Sequence, residues 1–258
     1  MKRSVLIFMW LGLLGALAPQ KSFGQFLGNP IDYSGKGTFT LGVAGAYSSS
    51  EWQAVSLTSK GALARLVFGV DNGLDIFLLG GERDFLLTEN NLDLKNVQFP
   101  FDYVVGTGFR MRVFQSESKL FSLNVSASSL YFNPQTSLEA AVSSKSSTKI
   151  RRSFVMLEGL VPQSGLSSVV SLAHLSAFVG VLARYNHYKT NRKDWIIAPG
   201  SAVPVRDEFS VQESPVQMVL SLGLEFKLPY NYRISFELQN SSLSEVFVMA
   251  GISQIGSP

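Results

Sequence analysis

From Asp102 to Phe114 apolar and polar residues alternate. Tyr103, Val105, Phe109, Met111 and Val113 share one face; Asp102, Gly106, Gly108, Arg110 and Arg112 share the other. The same period recurs downstream. Phe121, Leu123, Val125, Ala127 and Tyr131 alternate with Ser122, Asn124, Ser126 and Ser128. Met218, Leu220, Leu222, Leu224 and Phe226 alternate with Ser221, Gly223, Glu225 and Lys227, and Tyr232, Ile234, Phe236 and Leu238 with Arg233, Ser235, Glu237 and Gln239. Successive side chains of a strand point to opposite faces, so this period builds two-faced strands. In a helix the same residues would be scattered around the whole circumference.

The pattern predicts ten strands, at approximately 37–49, 57–70, 74–83, 102–114, 119–132, 148–161, 174–188, 209–227, 231–242 and 244–255. Their connections alternate short and long. Asp71-Asn72-Gly73, Gln115 to Ser118 and Leu228-Pro229-Tyr230 are short, and Asn and Gly at the first tolerate positive φ. The stretches 84–101, 133–147 and 189–208 read as long polar loops, and 162–173 is long for the short-turn end. Outer-membrane barrels have this asymmetry, with short periplasmic turns and longer outer loops. An even number of strands puts both ends of the barrel on the periplasmic side.

Two-faced strands also suit a soluble sandwich, with the apolar faces turned inward. Here the polar faces are mostly Gly, Ser and Asn, which fits a narrow lumen. Aromatic residues fall near the predicted strand ends, as in interfacial girdles: Phe39, Tyr47, Phe101, Tyr103, Tyr131, Phe132, Tyr185, Tyr188, Tyr230 and Tyr232. The fold expected is all-β, an antiparallel up-and-down transmembrane barrel of about ten strands, with eight or twelve as alternatives. Such a barrel must close, because hydrocarbon tolerates no unpaired backbone groups. The uncharged stretch 159–183 is long enough for a helical span, but Pro162, His174 and five serines make it marginal. A turn feeding a strand is the better reading.

Composition sharpens this picture. Only 16% of the 258 residues are charged and 46% are apolar, too apolar for disorder. There is no cysteine, which excludes a disulfide scaffold, a Cys-ligated zinc site and a lipoprotein anchor. Met1-Lys2-Arg3 followed by an apolar run to Ala18 and small residues at Ser22 and Gly24 reads as a signal peptide over 1–24, with the barrel domain at 25–258. Setting aside Lys2, Arg3 and Lys21 leaves bases and acids equal at 19. A neutral mature chain argues against nucleic acid as a partner.

Three segments resemble small Gram-negative outer-membrane β-barrels. They are Gly37-Thr-Phe-Thr-Leu-Gly-Val-Ala-Gly-Ala-Tyr47, the strand–turn–strand unit Leu66 to Phe77, and the closing run Val246 to Ser253. The resemblance spans most of the mature chain as a pattern. It implies residence in the outer membrane, with its lipid and the barrel assembly machinery as partners. The chain departs from the family in having no terminal aromatic, ending Gln254-Ile-Gly-Ser-Pro258.

Candidate chemistry is sparse. His174 and His187 are the only histidines. His187 with Asp194 or Asp207 would imitate a water-activating His–carboxylate pair. A rim position is the plainer reading, and the abundance of serine empties any Ser–His pairing of meaning. No phosphate loop or metal-ligand spacing occurs, so no cofactor and no enzyme activity are expected. Acids in the predicted outer loops (Glu82, Asp84, Glu89, Asp93, Asp194, Asp207, Glu208 and Glu213) read as solvated surface. The lumen should carry charges of both signs: Arg65, Arg110, Arg112, Arg184, Lys227 and Arg233, with Asp75, Asp102, Glu158, Glu225 and Glu237. Buried charges must pair, and a ten-strand interior is narrow, so these residues are expected to plug the lumen. The function expected is structural, adhesive or surface contact through the outer loops. A narrow porin-like channel using the same charges is the alternative, and an outer-membrane hydrolase comes third.

Overall fold

The computed structural model describes residues 34–52, 55–89, 96–144, 147–198, 201–213, 216–242 and 245–256. The signal peptide expected at 1–24 lies outside them. The strands are β1 (Phe39–Trp52), β2 (Val55–Asp71), β3 (Leu74–Glu89), β4 (Val97–Gln115), β5 (Phe121–Phe132), β6 (Gln135–Ser144) and β7 (Ser147–Ser171). They continue with β8 (Leu175–Arg184), β9 (His187–Ala198), β10 (Ser201–Glu213), β11 (Gln217–Lys227), β12 (Tyr232–Ser242) and β13 (Glu245–Gly256). Each pairs antiparallel with its neighbours, and β1 pairs β13 from Phe39↔Gly256 to Ser49↔Val246, which closes the sheet on itself.

The wall has ten strands: β1 to β5, the second half of β7, β8, β11, β12 and β13. The other elements prolong wall strands beyond one end. β6 continues β5 in unbroken register on β7, from Phe132↔Gly159 to Gln135↔Met156. At the break Leu157 donates to the Pro134 carbonyl, and Pro134 has no N–H to return. β9 continues β8 in the same way, from Gln163↔Arg184 to Leu160↔His187. There Tyr185 donates to the Pro162 carbonyl at 3.0 Å, and again proline returns nothing. Beyond the wall, β6, the first half of β7, β9 and β10 form a four-stranded sheet. We call this the hairpin end, and the opposite end the turn end.

Several expectations are corrected here. The stretches 84–101, 133–147 and 189–208 are mostly strand, because the outer connections are long β-hairpins. The run 162–173 is no loop: β7 continues through it to Ser171 and turns within three residues. A helix over 159–183 is excluded by the β7–β8 hairpin, and among the described residues no helix is long and apolar enough to cross a membrane. In the first short turn only Gly73 takes positive φ, at 117°. The turn before β12 places Tyr230 and Asn231 there instead.

The apolar faces point outward. Leu41, Val43, Leu66, Ile76, Leu78, Val105, Leu222, Leu224, Leu238 and Ile252 are all exposed on the wall. Tyr47, Phe101, Tyr103 and Tyr131 edge this belt toward the hairpin end, and Phe39, Phe68, Phe226 and Tyr232 toward the turn end. From Tyr103 to Val113 at about 3.3 Å per residue and a tilt of roughly 40°, the belt is about 25 Å tall, the height of a membrane barrel's apolar band. Phe132 and Tyr188 are corrected from girdle to interior, 0% and 2% exposed. Their positions share the inward parity of their strands.

Candidate functional site

The lumen is filled in two regions. The first is an apolar core on inward positions of β2 to β5 and β7. Leu63, Val67, Phe77, Leu79, Phe85, Phe99, Val104, Leu130, Phe132, Leu157 and Val161 belong to it, with Tyr188 from β9. Phe132 stacks on Phe85 with ring centroids 4.7 Å apart and meets Tyr188 at 6.0 Å. Inward rings lie over glycines directly opposite on the neighbouring strand: Phe77 over Gly108, Phe132 over Gly159 and Phe178 over Gly223. A Cβ at Gly159 would stand 2.1 Å from the Phe132 ring. The missing side chains make room for the rings, and the rings cover backbone that glycine would otherwise expose. Alternation within the wall could not announce this core, because its members sit on the face reserved for polar residues.

The second region is polar and lies on β8, β11, β12 and the turn-end stretches of β3 and β4. Arg110 donates to Asp75 Oδ2 from Nη2 at 2.5 Å and from Nε at 2.8 Å, and the Ser34 backbone N–H reaches the same oxygen at 3.0 Å. Arg233 Nη1 meets Glu225 Oε1 at 3.3 Å. Glu237 accepts from Ser221 at 2.9 Å and Gln239 at 2.8 Å. Arg184 donates to Gln163 at 3.1 and 3.0 Å and to Gln239, which links it to Glu237. Arg65 sits inside between β1 and β3, where Glu225 and Glu237 attract it and Arg110 and Arg233 repel it. Arg112 and Lys227 face inward half-buried near the turn end, Arg112 donating to Gln115 at 2.8 Å. Asp102 is inward and half-buried, accepting from the Tyr103 N–H. Glu158 is corrected: it lies on the outer face, 3.6 Å from Lys189.

A further arginine, Arg83, was missed by the sequence reading because it sits beside the charged outward residues Glu82 and Asp84. It is fully buried, and donates to Ser48 Oγ at 2.8 Å and the Ser59 carbonyl at 3.5 Å.

The hairpin-end sheet is built for water. Ion pairs join directly opposed residues: Glu139 with Arg152 across β6–β7, Glu158 with Lys189 across β7–β9, and Lys193 with Asp207 across β9–β10. Asp194, facing inward on β9, takes Arg192 at 2.9 and 3.0 Å and also Arg151. Burial alone would raise this carboxyl, but the hydrogen bonds from Arg192, Arg151 and Ser153 outweigh it and bring it down to about 2. Asp194 and His187 differ in parity and point to opposite sides of β9, and Asp207 is engaged by Lys193. The structure therefore does not assemble the His–carboxylate pair. His174 is in an exposed turn. Among the described residues no three His, Cys, Asp or Glu side chains converge as a metal site.

No family model matches the chain, and no curated protein matches it. Solved structures are similar in fold. The translocator domain of the autotransporter NalP from Neisseria meningitidis is 10% identical, over 88% of this chain and 89% of that one, at a TM-score of 0.47. The transport unit of the autotransporter AIDA-I from Escherichia coli is 11% identical, over 90% and 93%, at 0.43. Ail, the attachment invasion locus protein of Yersinia pestis, is 9% identical, over 85% and 97%, at 0.34. These likenesses decide nothing about role. The chain resembles small Gram-negative outer-membrane barrels, and its own wall, closed and apolar outside, has that architecture.

Proposed function

We propose that the chain is a non-enzymatic outer-membrane barrel whose work is done at its hairpin end, as a structural, adhesive or surface-contact protein. One observation carries this: the interior is occupied by packed rings and a hydrogen-bonded network of charged and polar side chains, while a four-stranded sheet projects beyond the apolar belt. A filled lumen does not conduct, so the surface able to meet other molecules is the projecting sheet. Residues 1–24 direct export and β13 engages the assembly machinery. The hairpin end then faces the outside, because the short turns stay in the periplasm.

The test has two arms. In planar bilayers the purified barrel should give no discrete conductance steps. In cells, shortening the β6–β7 and β9–β10 hairpins should leave a heat-modifiable barrel in the outer membrane and abolish adherence of the expressing cells to matrix-coated and abiotic surfaces. Discrete steps that Arg110→Ala alters would support the channel instead. Unchanged adherence after trimming would sink the surface role.

A further inference from the structure

The lipid-facing wall is not uniform. Near the turn end it carries a groove of about 540 Å³ that follows β13, with β1 on one side and the start of β12 on the other. Leu41, Val43 and Ile252 line it within the apolar belt, and Phe39 and Tyr232 flank its lower end. These side chains point away from the lumen, so the occupant of the groove comes from the membrane. Ser253 borders the groove too, but it is buried on the lumen side.

One residue here breaks the rule of the wall. Gln254 is on the outward face of β13, directly opposite Leu41 on β1 and Tyr232 on β12. An amide at the edge of hydrocarbon is costly unless it meets a polar group. Among the described residues its side chain has no hydrogen-bond partner. Asn231, held at a φ of 61° by the turn before β12, sets a second amide at the same mouth. The groove is therefore polar at the membrane–water edge and aliphatic above it. At roughly 30 Å³ per methylene, near a water molecule's share of liquid volume, it has room for about eighteen methylenes, one long acyl chain. A second groove of about 500 Å³, across Leu222, Leu224, Phe236 and Leu238, has no such mouth. Its one charged lining residue, Glu237, is buried in the lumen network.

We infer that the first groove is a binding site for a single glycerophospholipid. One acyl chain lies along β13 between Leu41 and Ile252, and the Gln254 and Asn231 amides donate to phosphate or ester oxygens of the head. The groove opens at the turn end, so the lipid belongs to the leaflet on that side. A detergent tail fits the aliphatic part but offers the amides no phosphate. The site requires the apolar belt to lie in a bilayer and is independent of what the hairpin end contacts.

The test uses the full mature barrel, folded into vesicles of phosphatidylethanolamine and phosphatidylglycerol, moved into mild detergent and weighed intact by native mass spectrometry. The expected result is one phospholipid kept per barrel. Gln254→Leu should raise the lipid concentration for half-occupancy by about tenfold, the worth of one hydrogen bond to a charged group. Leu41→Trp fills the groove without touching the amides and should abolish retention. Leu222→Trp, in the second groove, should change nothing. Heat-modifiable mobility on gels checks that each variant is folded, and if one of the first two fails to fold, the other carries the test. No lipid kept by the parent barrel, unchanged retention in Gln254→Leu or Leu41→Trp, or an equal loss in Leu222→Trp would each overturn the inference.

Discussion

Gly159→Ala is the sharpest probe of the apolar core. The new Cβ would lie 2.1 Å from Phe132 Cζ and 2.5–2.6 Å from both Cε atoms, where about 3.5–4 Å is comfortable. The ring would have to move by roughly 1.5 Å. It cannot do so freely, being fully buried between Phe85 and Tyr188. Overpacking of this kind costs about 1–3 kcal/mol, and replacing a strand glycine returns roughly 0.5–1. The net expectation is a loss of about 1–2 kcal/mol. Phe132→Ala alone should cost about 3–5 kcal/mol through the cavity it leaves. In that background the alanine at 159 meets no ring and should be neutral or slightly stabilising, so the two changes should couple by about 1.5–3 kcal/mol. Urea unfolding in short-chain lipid vesicles, followed by tryptophan fluorescence and gel mobility, measures all four corners of the cycle. Coupling below about 0.5 kcal/mol, the usual error of additivity, would show that the ring does not lie over this glycine.

Arg110→Ala should destabilise by about 3–5 kcal/mol by leaving the buried Asp75 without a counter-charge, held by the Ser34 N–H, and the double variant with Asp75→Ala should lose less; a strictly additive pair would refute the pairing. Asp194 titrates lower folded than unfolded, about 2 against about 3.9, so its contribution is complete above pH 4 and lost as pH falls toward 2. Pepsin should therefore begin to cut the β6–β7 and β9–β10 hairpins across that window, and Asp194→Asn should be cut already at pH 4; equal resistance of the two proteins would count against the Arg151–Asp194–Arg192 cluster. Cysteines at Leu123, Leu222 and Leu224 should resist water-soluble thiol reagents because lipid covers them, and one at Asn124 should resist because the lumen is filled. A cysteine at the exposed Val205 of β10 should react at once, and fast labelling at Asn124 would mean a wet interior.

The wall was legible because membrane strands alternate strictly. Tyr103 to Val113 and Met218 to Phe226 state their outward faces residue by residue, and the structure keeps the same parity. The hairpin end was not legible, because outside hydrocarbon the rule changes. In β3 the outward face runs from Ile76 and Leu78 to Glu82 and Asp84, while the inward face carries Arg83 and then the apolar Phe85 and Leu87. A strand whose pattern inverts midway reads as its own end, so 84–101 looked like a loop. Pro134 and Pro162 added false stops, since proline is a breaker in sequence but costs only one ladder bond on each of these strands. Among the site residues, parity fixes which charges face inward. Which acid meets which arginine depends on the stagger between strands, so Asp75 could not be matched to Arg110 in advance.

The seam between β1 and β13 has a kinetic consequence. The two strands stand about 200 residues apart in sequence, yet each supplies the other's backbone partners from Phe39↔Gly256 onward. The chain-entropy cost of bringing them together falls due only after every other wall strand has formed, which places this fold among slow, high-contact-order topologies. Until that last zipper closes, β1 and β13 are two open edges, competent to pair with any strand nearby. A chain cut short before β13 would keep β1 and β12 open permanently, and such a product should accumulate as aggregate rather than as a smaller barrel.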